Sequence, residues 1–167
     1  MGLDHAQAAQ YVGKESGTMQ APDKVSKSDI RHWCEVVGDP DPDYAEKITR
    51  GDKAAPGTMT MVWAMPPLWP PKQPVEPHEK LLALLDAAGY SGTAGLALAQ
   101  EFAGLARIGD RLTFTVRTVG LSHGEEATPI GKGYVVDLDY TFRDGAGKIL
   151  GTHRYKVLKF QKMELAS

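Results

Sequence analysis

The order of the hydrophobic patterns predicts an α+β domain, in which an antiparallel sheet wraps around a short buried helix and further helices precede and follow it. Three observations lead to this prediction. A helical pattern and a short, almost wholly apolar segment occupy the first half of the sequence. Alternating apolar and polar residues, which are typical of half-buried strands, occupy the second half. The sequence Asp-Gly-Ala-Gly at 144–147 predicts a hairpin turn between the last two strands.

The clearest helical pattern lies at 27–37. Ser26 begins the sequence Ser-Lys-Ser-Asp, a capping box in which the Ser26 side chain can accept from first-turn amides. Gly38 supplies a C-terminal stop. One face of the predicted helix is apolar, at the spacing of helical neighbours; it consists of Ile30, Trp33, Cys34 and Val37.

A nearly continuous apolar segment at 58–65 predicts a second, fully buried helix. Two prolines follow directly and end it after about two turns. Prolines remain frequent from 66 to 77, so this stretch is predicted to be an extended surface loop. Pro77 suits the first position of a third helix, which the leucine-rich sequence predicts over 78–88.

Four strands are predicted in the second half. Residues 112–117 and 134–142 alternate between apolar and polar side chains, apart from Val135. Residues 149–160 form the return strand of the hairpin. Residues 93–107 are predicted to be the remaining strand, with bounds that their alanines make ambiguous, and a turn at 108–111 follows it.

The chain divides into a lead-in at 1–24, a domain at 25–162 and a tail at 163–167. The lead-in is rich in turn-forming residues and is expected to contribute a short helix or strand. No apolar run reaches the about 18 residues of a membrane-spanning helix. The first residues lack the basic-then-apolar order of a signal peptide, so we expect no membrane association and a cytoplasmic protein.

The composition is typical of a folded domain and argues against several classes of protein. Hydrophobic residues make up 42% and charged residues 24% of the chain, so extensive disorder is not expected. The formal net charge of -2 argues against nucleic-acid binding. Cys34 is the single cysteine and cannot form an internal disulfide or a cysteine-based zinc site.

Two motifs, placed in this order of elements, resemble the MaoC-like dehydratases, which have the hot-dog fold. Residues 36–44 read Val-Val-Gly-Asp-Pro-Asp-Pro-Asp-Tyr, where active members of that family have Gly-Asp-x-Asn-Pro-x-His. Residues 55–59, Ala-Pro-Gly-Thr-Met, resemble the start of the central hot-dog helix. Gly109-Asp110 before a strand is a third, weaker match. The resemblance covers residues 11–160 and implies a single hot-dog fold.

More narrowly, the sequence resembles the N-terminal-half family of these dehydratases and the hydratase domain in the α subunit of actinobacterial steroid side-chain enoyl-CoA hydratases. The matching segments are 30–33, 61–65, 84–90 and 155–160. This resemblance implies a heteromer, with a smaller catalytic MaoC-like subunit as the partner and a steroid CoA thioester as the substrate. Some of those proteins carry a C-terminal zinc-ribbon and OB domain that recruits a thiolase-like aldolase. The sequence ends at Ser167 without such a domain, which leaves a link to an aldolase in doubt.

The resemblance also assigns roles around the motif. Hydration of an α,β-unsaturated thioester needs a base for water, an acid for the α-carbon and a donor for the developing enolate oxygen. By position, Asp39 matches the family's aspartate, and Gly57 matches the backbone N–H that polarises the thioester carbonyl. Tyr44 stands at the histidine position, and a tyrosine with a pKa of about 10 is a poor base at neutral pH. We therefore expect no catalytic residue in this chain, no metal and no cofactor, with the CoA thioester as substrate.

Each of these residues also suits an ordinary structural role. Asp39 can cap a loop after the helix-ending glycine, and Gly57 can permit a tight start of the buried helix. His32 lies off the apolar helix face and is expected to be solvated. His153 is expected to be either an exposed strand residue or one that faces CoA. The basic residues of the last strand are expected to form a solvated edge; they are Arg154, Lys156 and Lys159.

A shortened central helix leaves space beside it in the groove of the sheet. We therefore expect this chain to supply a roomy pocket for a long acyl or steroid group, while the partner supplies the aspartate and histidine. Methionines adapt well to bulky apolar ligands, although the same side chains also suit an ordinary core. The expected substrate-binding residues are Gly57, Thr58, Met59, Val62, Trp63 and Met65.

Two other functions are compatible with the sequence. One is a homodimer that acts by itself as a hydratase or thioesterase, using Asp39 with Tyr44 or an acid from elsewhere. The other is an acyl-CoA-binding scaffold subunit without a role in the chemistry. The hot-dog fold hosts dehydratases, thioesterases and binding proteins, so the fold alone does not separate them.

Overall fold

The computed structural model describes residues 2–38, 54–67 and 69–162. Within these residues, the helices are α1 (His5–Ala9), α2 (Lys27–Val37), a 3-10 helix (Gly57–Ala64) and α3 (Pro77–Ala87). The strands are β1 (Met19–Gln20), β2 (Gly92–Phe102), β3 (Thr113–Leu121), β4 (Glu126–Thr128), β5 (Gly131–Arg143) and β6 (Ile149–Phe160). In this part of the chain, no helix has the length and apolar character needed to cross a membrane.

The strands form one antiparallel sheet in the order β1-β3-β5-β6-β2, and β4 pairs with β5 beside this path. The four long strands are those that the sequence predicted, and alternation of apolar and polar residues predicted two of them, β3 and β5. The predicted hairpin turn joins β5 to β6, and Gly147 N–H donates to Asp144 O across it (3.0 Å). The α+β class predicted from the sequence is therefore confirmed.

Alternation along the strands gives the sheet a buried inner face and a more polar outer face. On β5, Val136, Leu138 and Phe142 are 0%, 1% and 1% exposed. On the outer face, Arg154 Nε lies 2.8 Å from Asp139 Oδ1. Every described helix adds buried side chains to the same core as the inner face; they are Ala8, Ile30, Met59, Trp63, Leu81 and Leu85. The helices and the sheet thus share one hydrophobic core.

Helix α2 has the predicted bounds and caps. Asp29 N–H donates to Ser26 Oγ (3.1 Å), and Gly38 adopts the left-handed conformation (φ 61°) that ends the helix. The apolar face is buried only in part, because Ile30 is fully buried whereas Val37 is 53% exposed. The spacing of apolar residues therefore predicted the helix correctly but overstated how much of its face is buried.

The apolar segment at Gly57–Ala64 is a 3-10 helix. Prolines at 66 and 67 have no N–H to donate to residues four positions earlier, which disfavours α-helical pairing in this short segment. In a 3-10 helix, residues three apart share a row, and Thr60 and Trp63 form such a buried row. Thr58 is exposed and Val62 is half-buried. The prediction of a fully buried helix was therefore wrong for this segment.

Helix α3 begins at Pro77, as predicted. Before it, the N–H groups of Val75 and Glu76 both donate to Glu79 Oε2 (2.8 and 3.0 Å), which fixes the first turn. Leu81 and Leu85 are completely buried. The leucine-rich face therefore packs into the core as its spacing indicated.

The lead-in contributes both a helix and a strand. After α1, the chain runs along β3, where Gly13 N–H donates to Thr118 O and Ser16 N–H donates to Val116 O (both 2.8 Å). Strand β1 then pairs with the start of β3. The N-terminal segment thereby covers one edge of the sheet. The opposite edge is β2, which pairs only with β6 among the described residues.

Strand β2 ends at Phe102, five residues before the predicted end at 107. Directly after it, the N–H groups of Ala103 and Gly104 both donate to Leu150 O (2.8 and 3.0 Å). Because two consecutive amides share one carbonyl, the regular ladder cannot continue past this point. The apolar composition of 103–107 gave no sign of this change.

Lys159 departs from the predicted solvated edge of β6. Arg154 and Lys156 are exposed, as expected, but Lys159 is only 4% exposed. Its Nζ lies 2.6 Å from Asp86 Oδ1 and donates to Thr93 Oγ1 (2.7 Å). The prediction was wrong here because the ammonium group has partners on two neighbouring elements, α3 and β2.

Candidate functional site

Two residues of the predicted site, Asp39 and Tyr44, lie outside the described residues. The described part of the site is the start of the 3-10 helix, which the chain after β2 holds in place. Ala55 N–H donates to Ala106 O (2.7 Å). This bond joins the approach to the helix to the segment after β2, which is distant in sequence.

Gly57, the predicted donor to the thioester, is covered by the ring of Phe102. A Cβ atom at Gly57 would lie 2.6 Å from Phe102 Cδ1, so the ring packs directly on the glycine backbone. Within the helix, Thr60 Oγ1 donates to Gly57 O (2.6 Å). Phe102 itself is 50% exposed at the end of the free edge strand. The ring therefore separates the helix start from solvent.

The six residues predicted to bind substrate face different surroundings. Met59 and Trp63 are core side chains, only 1% and 3% exposed. Thr58 and Met65 are exposed, whereas Val62 is half-buried, like Gly57. Among the described residues, Trp63 Nε1 has no hydrogen-bond partner despite its burial. A substrate-binding role for this set stays a prediction.

A buried histidine lies behind Phe102. His153 of β6 is 1% exposed, and its ring packs against Phe102 at 6.0 Å and Phe142 at 4.7 Å, measured between centroids. The side chain of Gln100 lies within hydrogen-bond distance of His153 Nδ1 (3.3 Å). His153 is therefore neither exposed nor open to a CoA group in this chain, which corrects both expectations for it.

The alternation of inward- and outward-facing residues along β6 could have indicated that His153 is buried. His153 shares its strand face with Tyr155 and Val157, and Val157 is a core residue. It also lies directly opposite Tyr140 of β5 in the ladder. A histidine on the apolar face of a central strand is expected to be buried, whatever its neighbours in sequence.

Burial sets the charge of two histidines. Removal from water lowers the pKa of His153. It also lowers the pKa of His78, against the opposing charges of Glu79 and Glu76. Both rings are therefore neutral at neutral pH. By contrast, His32 is exposed, as predicted.

Part of the inner face next to the free edge is not covered by a described helix. We call this surface the inner strip; it consists of Leu98, Gln100, Phe102 and Tyr155. Leu98 lies opposite Tyr155, and Gln100 lies opposite His153, in the pairing of β2 with β6. Leu98 and Phe102 are 48% and 50% exposed, and the other two are half-buried. The strip is an apolar floor beside the 3-10 helix with a few polar groups.

The sequence relatives are α subunits of hydratases. The chain is 30% identical over 161 residues to a protein of Thermomonospora curvata named probable enoyl-CoA hydratase alpha subunit, with 90% of this chain and 50% of that protein covered. It is 24% identical over 146 residues to the 3-oxo-4,17-pregnadiene-20-carboxyl-CoA hydratase alpha subunit of Mycobacterium tuberculosis, with 84% and 46% covered. The chain therefore spans about half the length of these relatives. No family model matches the sequence.

Solved structures settle the fold. The ChsH1-ChsH2 complex from Mycobacterium tuberculosis contains a chain that matches with a TM-score of 0.74 and 23% identity, over 98% of this chain and 94% of that one. A MaoC-like dehydratase matches with a TM-score of 0.62 and 18% identity, over 92% and 43%. The chain has the MaoC-like hot-dog fold. The hot-dog fold expected from the two sequence motifs is thereby confirmed.

The packing of Phe102 on Gly57 bears on the role that the resemblance assigns to this helix start. The resemblance implies that the N–H at this helix start faces the thioester carbonyl in active members. Here the ring of Phe102 packs on that glycine. The histidine nearest to Phe102 among the described residues, His153, is buried behind the ring. Among the described residues, this helix start therefore carries an aromatic ring on one side, and the histidine behind that ring is buried.

Because Phe102 packs on Gly57, we expect substitutions at these two positions to have coupled effects on the free energy of unfolding. Gly57→Ala is expected to cost about 1–3 kcal/mol, because the new methyl group collides with the ring. In a Phe102→Ala background the same change should cost much less, giving a coupling free energy of roughly 0.5–3 kcal/mol. Urea unfolding of the four proteins measures it. Additive losses would show that the ring does not rest on Gly57.

Proposed function

We propose that the chain is the non-catalytic, substrate-accommodating subunit of a heteromeric enoyl-CoA hydratase. The complex adds water to an α,β-unsaturated acyl-CoA, and the acyl group is a bulky steroid side-chain thioester. A catalytic MaoC-like subunit supplies the aspartate and histidine. The observation that carries the proposal is Tyr44 at the histidine position of a motif that otherwise retains Asp39.

The chemistry explains why this one position matters. Activation of water for addition to an enoyl thioester needs a base with a pKa near the working pH. Histidine meets this condition, whereas the phenol of tyrosine is protonated at neutral pH. Catalytic groups that act as a unit lose most of their effect when one member is missing. A hot-dog subunit without the histidine therefore depends on another chain for the chemistry.

The packing of Phe102 on Gly57 also supports catalysis by the partner rather than by this chain. An oxyanion donor works only if its N–H reaches the developing negative charge directly. The Phe102 ring packs on Gly57 in the direction of a Cβ atom, which narrows the room for a thioester at this helix start. The thioester then lies at the corresponding helix start of the partner.

The shape of the inner face supports an accommodating role. The 3-10 helix is short and is followed by a proline-rich segment, and no described helix covers the inner strip. A bulky apolar group that covers Leu98 and Phe102 would be stabilised by burial of their exposed surface. The relative from Mycobacterium tuberculosis is named for a pregnadiene carboxyl-CoA, which is such a bulky group.

The free edge of β2 supports a partner subunit. Among the described residues, β2 pairs only with β6, so this strand of eleven residues presents N–H and C=O groups along its other edge. A second hot-dog sheet that pairs with this edge satisfies them, and it turns the inner strip into the floor of a groove between two subunits. The solved neighbours include two complexes of different subunits, ChsH1-ChsH2 and HadBC, both from Mycobacterium tuberculosis.

Reconstitution with a MaoC-like subunit that has an intact Gly-Asp-x-Asn-Pro-x-His motif tests the proposal. Hydration is followed spectroscopically on enoyl-CoAs of several chain lengths and on a steroid enoyl-CoA. The chain alone is expected to be at least about 100-fold slower than the mixture, because general acid–base catalysis contributes that much or more. Asp39→Asn in this chain should leave the rate of the mixture unchanged. The matched change in the partner should abolish turnover.

Other outcomes identify the alternative functions. Rapid turnover by the chain alone, lost in Asp39→Asn, would establish a self-sufficient homodimer and overturn the proposal. A partner that hydrates the steroid enoyl-CoA equally well by itself would leave this chain as a scaffold. In that case the mixture still binds acyl-CoA, but this chain changes neither kcat nor KM.

A further inference from the structure

We propose that Tyr155 recognises an oxygen atom on the body of the acyl group, so that the inner strip selects oxygenated fused-ring acyl-CoAs over unsubstituted ones. This inference rests on the proposed function and assigns a specificity-determining residue to the same site. It follows from the packing of the Tyr155 ring, the hydrogen bonding of its hydroxyl group and the apolar surface around it.

Residues of the two neighbouring strands hold the Tyr155 ring in place. Strand β2 has an irregularity between Gly95 and Ala97. A Cβ atom at Gly95 would lie 2.7 Å from Tyr155 Oη and 3.0 Å from its Cε2, so the phenol rests on the glycine backbone. On the other side, Tyr155 lies opposite Leu138 of β5, a fully buried residue. A ring held between a glycine and a core strand keeps its hydroxyl group at a defined position.

The hydroxyl group of Tyr155 has no hydrogen-bond partner among the described residues. Tyr90 differs, because its hydroxyl group donates to Glu125 Oε1 (2.7 Å). Tyr155 is half-buried, so a ligand that covers the strip would remove its hydroxyl group from water. A polar group that loses water without gaining a partner costs about 1–3 kcal/mol. A ligand with an acceptor at this point avoids that cost.

A second hydroxyl group lies close by on the same face. Tyr140 lies two residues after Leu138 on β5, opposite His153, and it is half-buried. Burial, with a contribution from Tyr155, raises the pKa of Tyr140 to about 12. The phenol of Tyr140 is thus protonated at any physiological pH and is available as a donor. Tyr140 therefore adds a second hydroxyl donor next to the inner strip.

The apolar residues of the inner strip and the lack of an available cation among its described residues indicate the class of ligand. Leu98 and Phe102 provide apolar surface, and the inner face next to them carries one lysine, Lys159, which is buried and paired with Asp86. A phosphate or a carboxylate therefore finds no available cation on the described strip. A large apolar group with a ketone or hydroxyl oxygen satisfies both the floor and the phenol. Sites built to hydrogen-bond such an oxygen discriminate strongly against analogues that lack it.

Two acyl-CoAs test the inference: the CoA thioester of a 3-oxo steroid side-chain acid and its counterpart without the 3-oxo group. Their affinities are measured by calorimetry for the full chain and for its mixture with the catalytic subunit. Tyr155→Phe should weaken binding of the oxo compound by roughly 3–10-fold, as expected for one hydrogen bond, and leave the other compound unchanged. Gly95→Ala displaces the ring and should reduce the same preference. Tyr11→Phe, a matched change outside the strip, should alter neither affinity.

The outcomes separate this inference from the proposed function. Equal losses for both compounds in Tyr155→Phe, or no loss for either, would overturn the role of the phenol even if the mixture hydrates steroid enoyl-CoAs. A mixture that hydrates only straight-chain enoyl-CoAs and does not bind the oxo compound would overturn the ligand class and leave the hydratase function intact. A mixture without hydration activity, in which the chain still prefers the oxo compound, would overturn the proposed function alone.

Discussion

Gly133→Ala is expected to destabilise the protein by roughly 3 kcal/mol or more, which places it among severe single substitutions. Gly133 lies where β5 and β6 pair, and a Cβ atom there would run into the carbonyl oxygen of Lys159. The obstacle is backbone in the same sheet, so no flexible side chain can move aside. One of the two strands must shift and break its ladder. Urea or thermal unfolding measures the loss.

Gly124→Ala is the matched control for this change. No atom lies within 4 Å of a Cβ at Gly124, and its backbone angle is not in the left-handed region. The control should change the free energy of unfolding by less than about 1 kcal/mol, with stabilisation possible because alanine restricts the unfolded chain. Equal stabilities of the two variants would contradict the close approach of β5 and β6 at Gly133.

Acidification is expected to destabilise the protein before its carboxylates titrate. Burial lowers the pKa of His153 and His78 in the folded state, so the unfolded chain binds more protons. Their stabilising effect is complete above the unfolded pKa of about 6.5 and is lost as the pH falls below it. Each histidine adds a slope of up to about 1.4 kcal/mol per pH unit. Urea unfolding at several pH values between 7.5 and 5 measures the combined slope.

A histidine variant identifies the source of that slope. His153→Phe removes one buried titrating group and should flatten the dependence, whereas the exposed His32→Asn should leave it as it is. Backbone N–H groups of Glu76 and Val75 lower the pKa of Glu79, although burial opposes them. Its contribution is therefore lost only below about pH 4.5, the ordinary range of glutamate. A slope unchanged in His153→Phe would exclude this histidine as a cause.

Most of the fold could be predicted because its determinants are local. The capping serine and the glycine stop of α2 act within a few residues, and so does the proline at the start of α3. The alternation in β3 and β5 reflects a sheet with one buried face. These features depend on the chain nearby and are visible in the sequence.

The 3-10 helix shows where composition alone is insufficient. Apolar residues at nearly every position of Gly57–Ala64 predicted burial on all sides, but the hydrogen-bond pattern also depends on the two prolines beyond the segment. These prolines restrict that pattern, and the rows of side chains then have a period of three. The burial of Thr60, which lies in one row with Trp63, comes from this geometry rather than from hydrophobicity.

The site was less predictable because its contacts join distant parts of the chain. Phe102 reaches Gly57 across 45 positions, and His153 meets Gln100 across 53. Lys159 is buried because Asp86 and Thr93 receive its charge. None of these pairs has a spacing that a single sequence reveals. The family resemblance located the helix start correctly but could not indicate that a phenylalanine covers it.

The N-terminal segment along β3 also limits how far an assembly of such sheets can grow. Strand-by-strand growth requires two free edges on every subunit, and a fibre results when both are used. Residues 13–20 already occupy one edge, and the strand they form is only two residues long, which makes it a poor template for another chain. The pairing through β2 that we propose uses the opposite edge of the described sheet. In such an assembly, the N-terminal segment covers the second edge of each sheet, so growth by strand pairing ends after one contact.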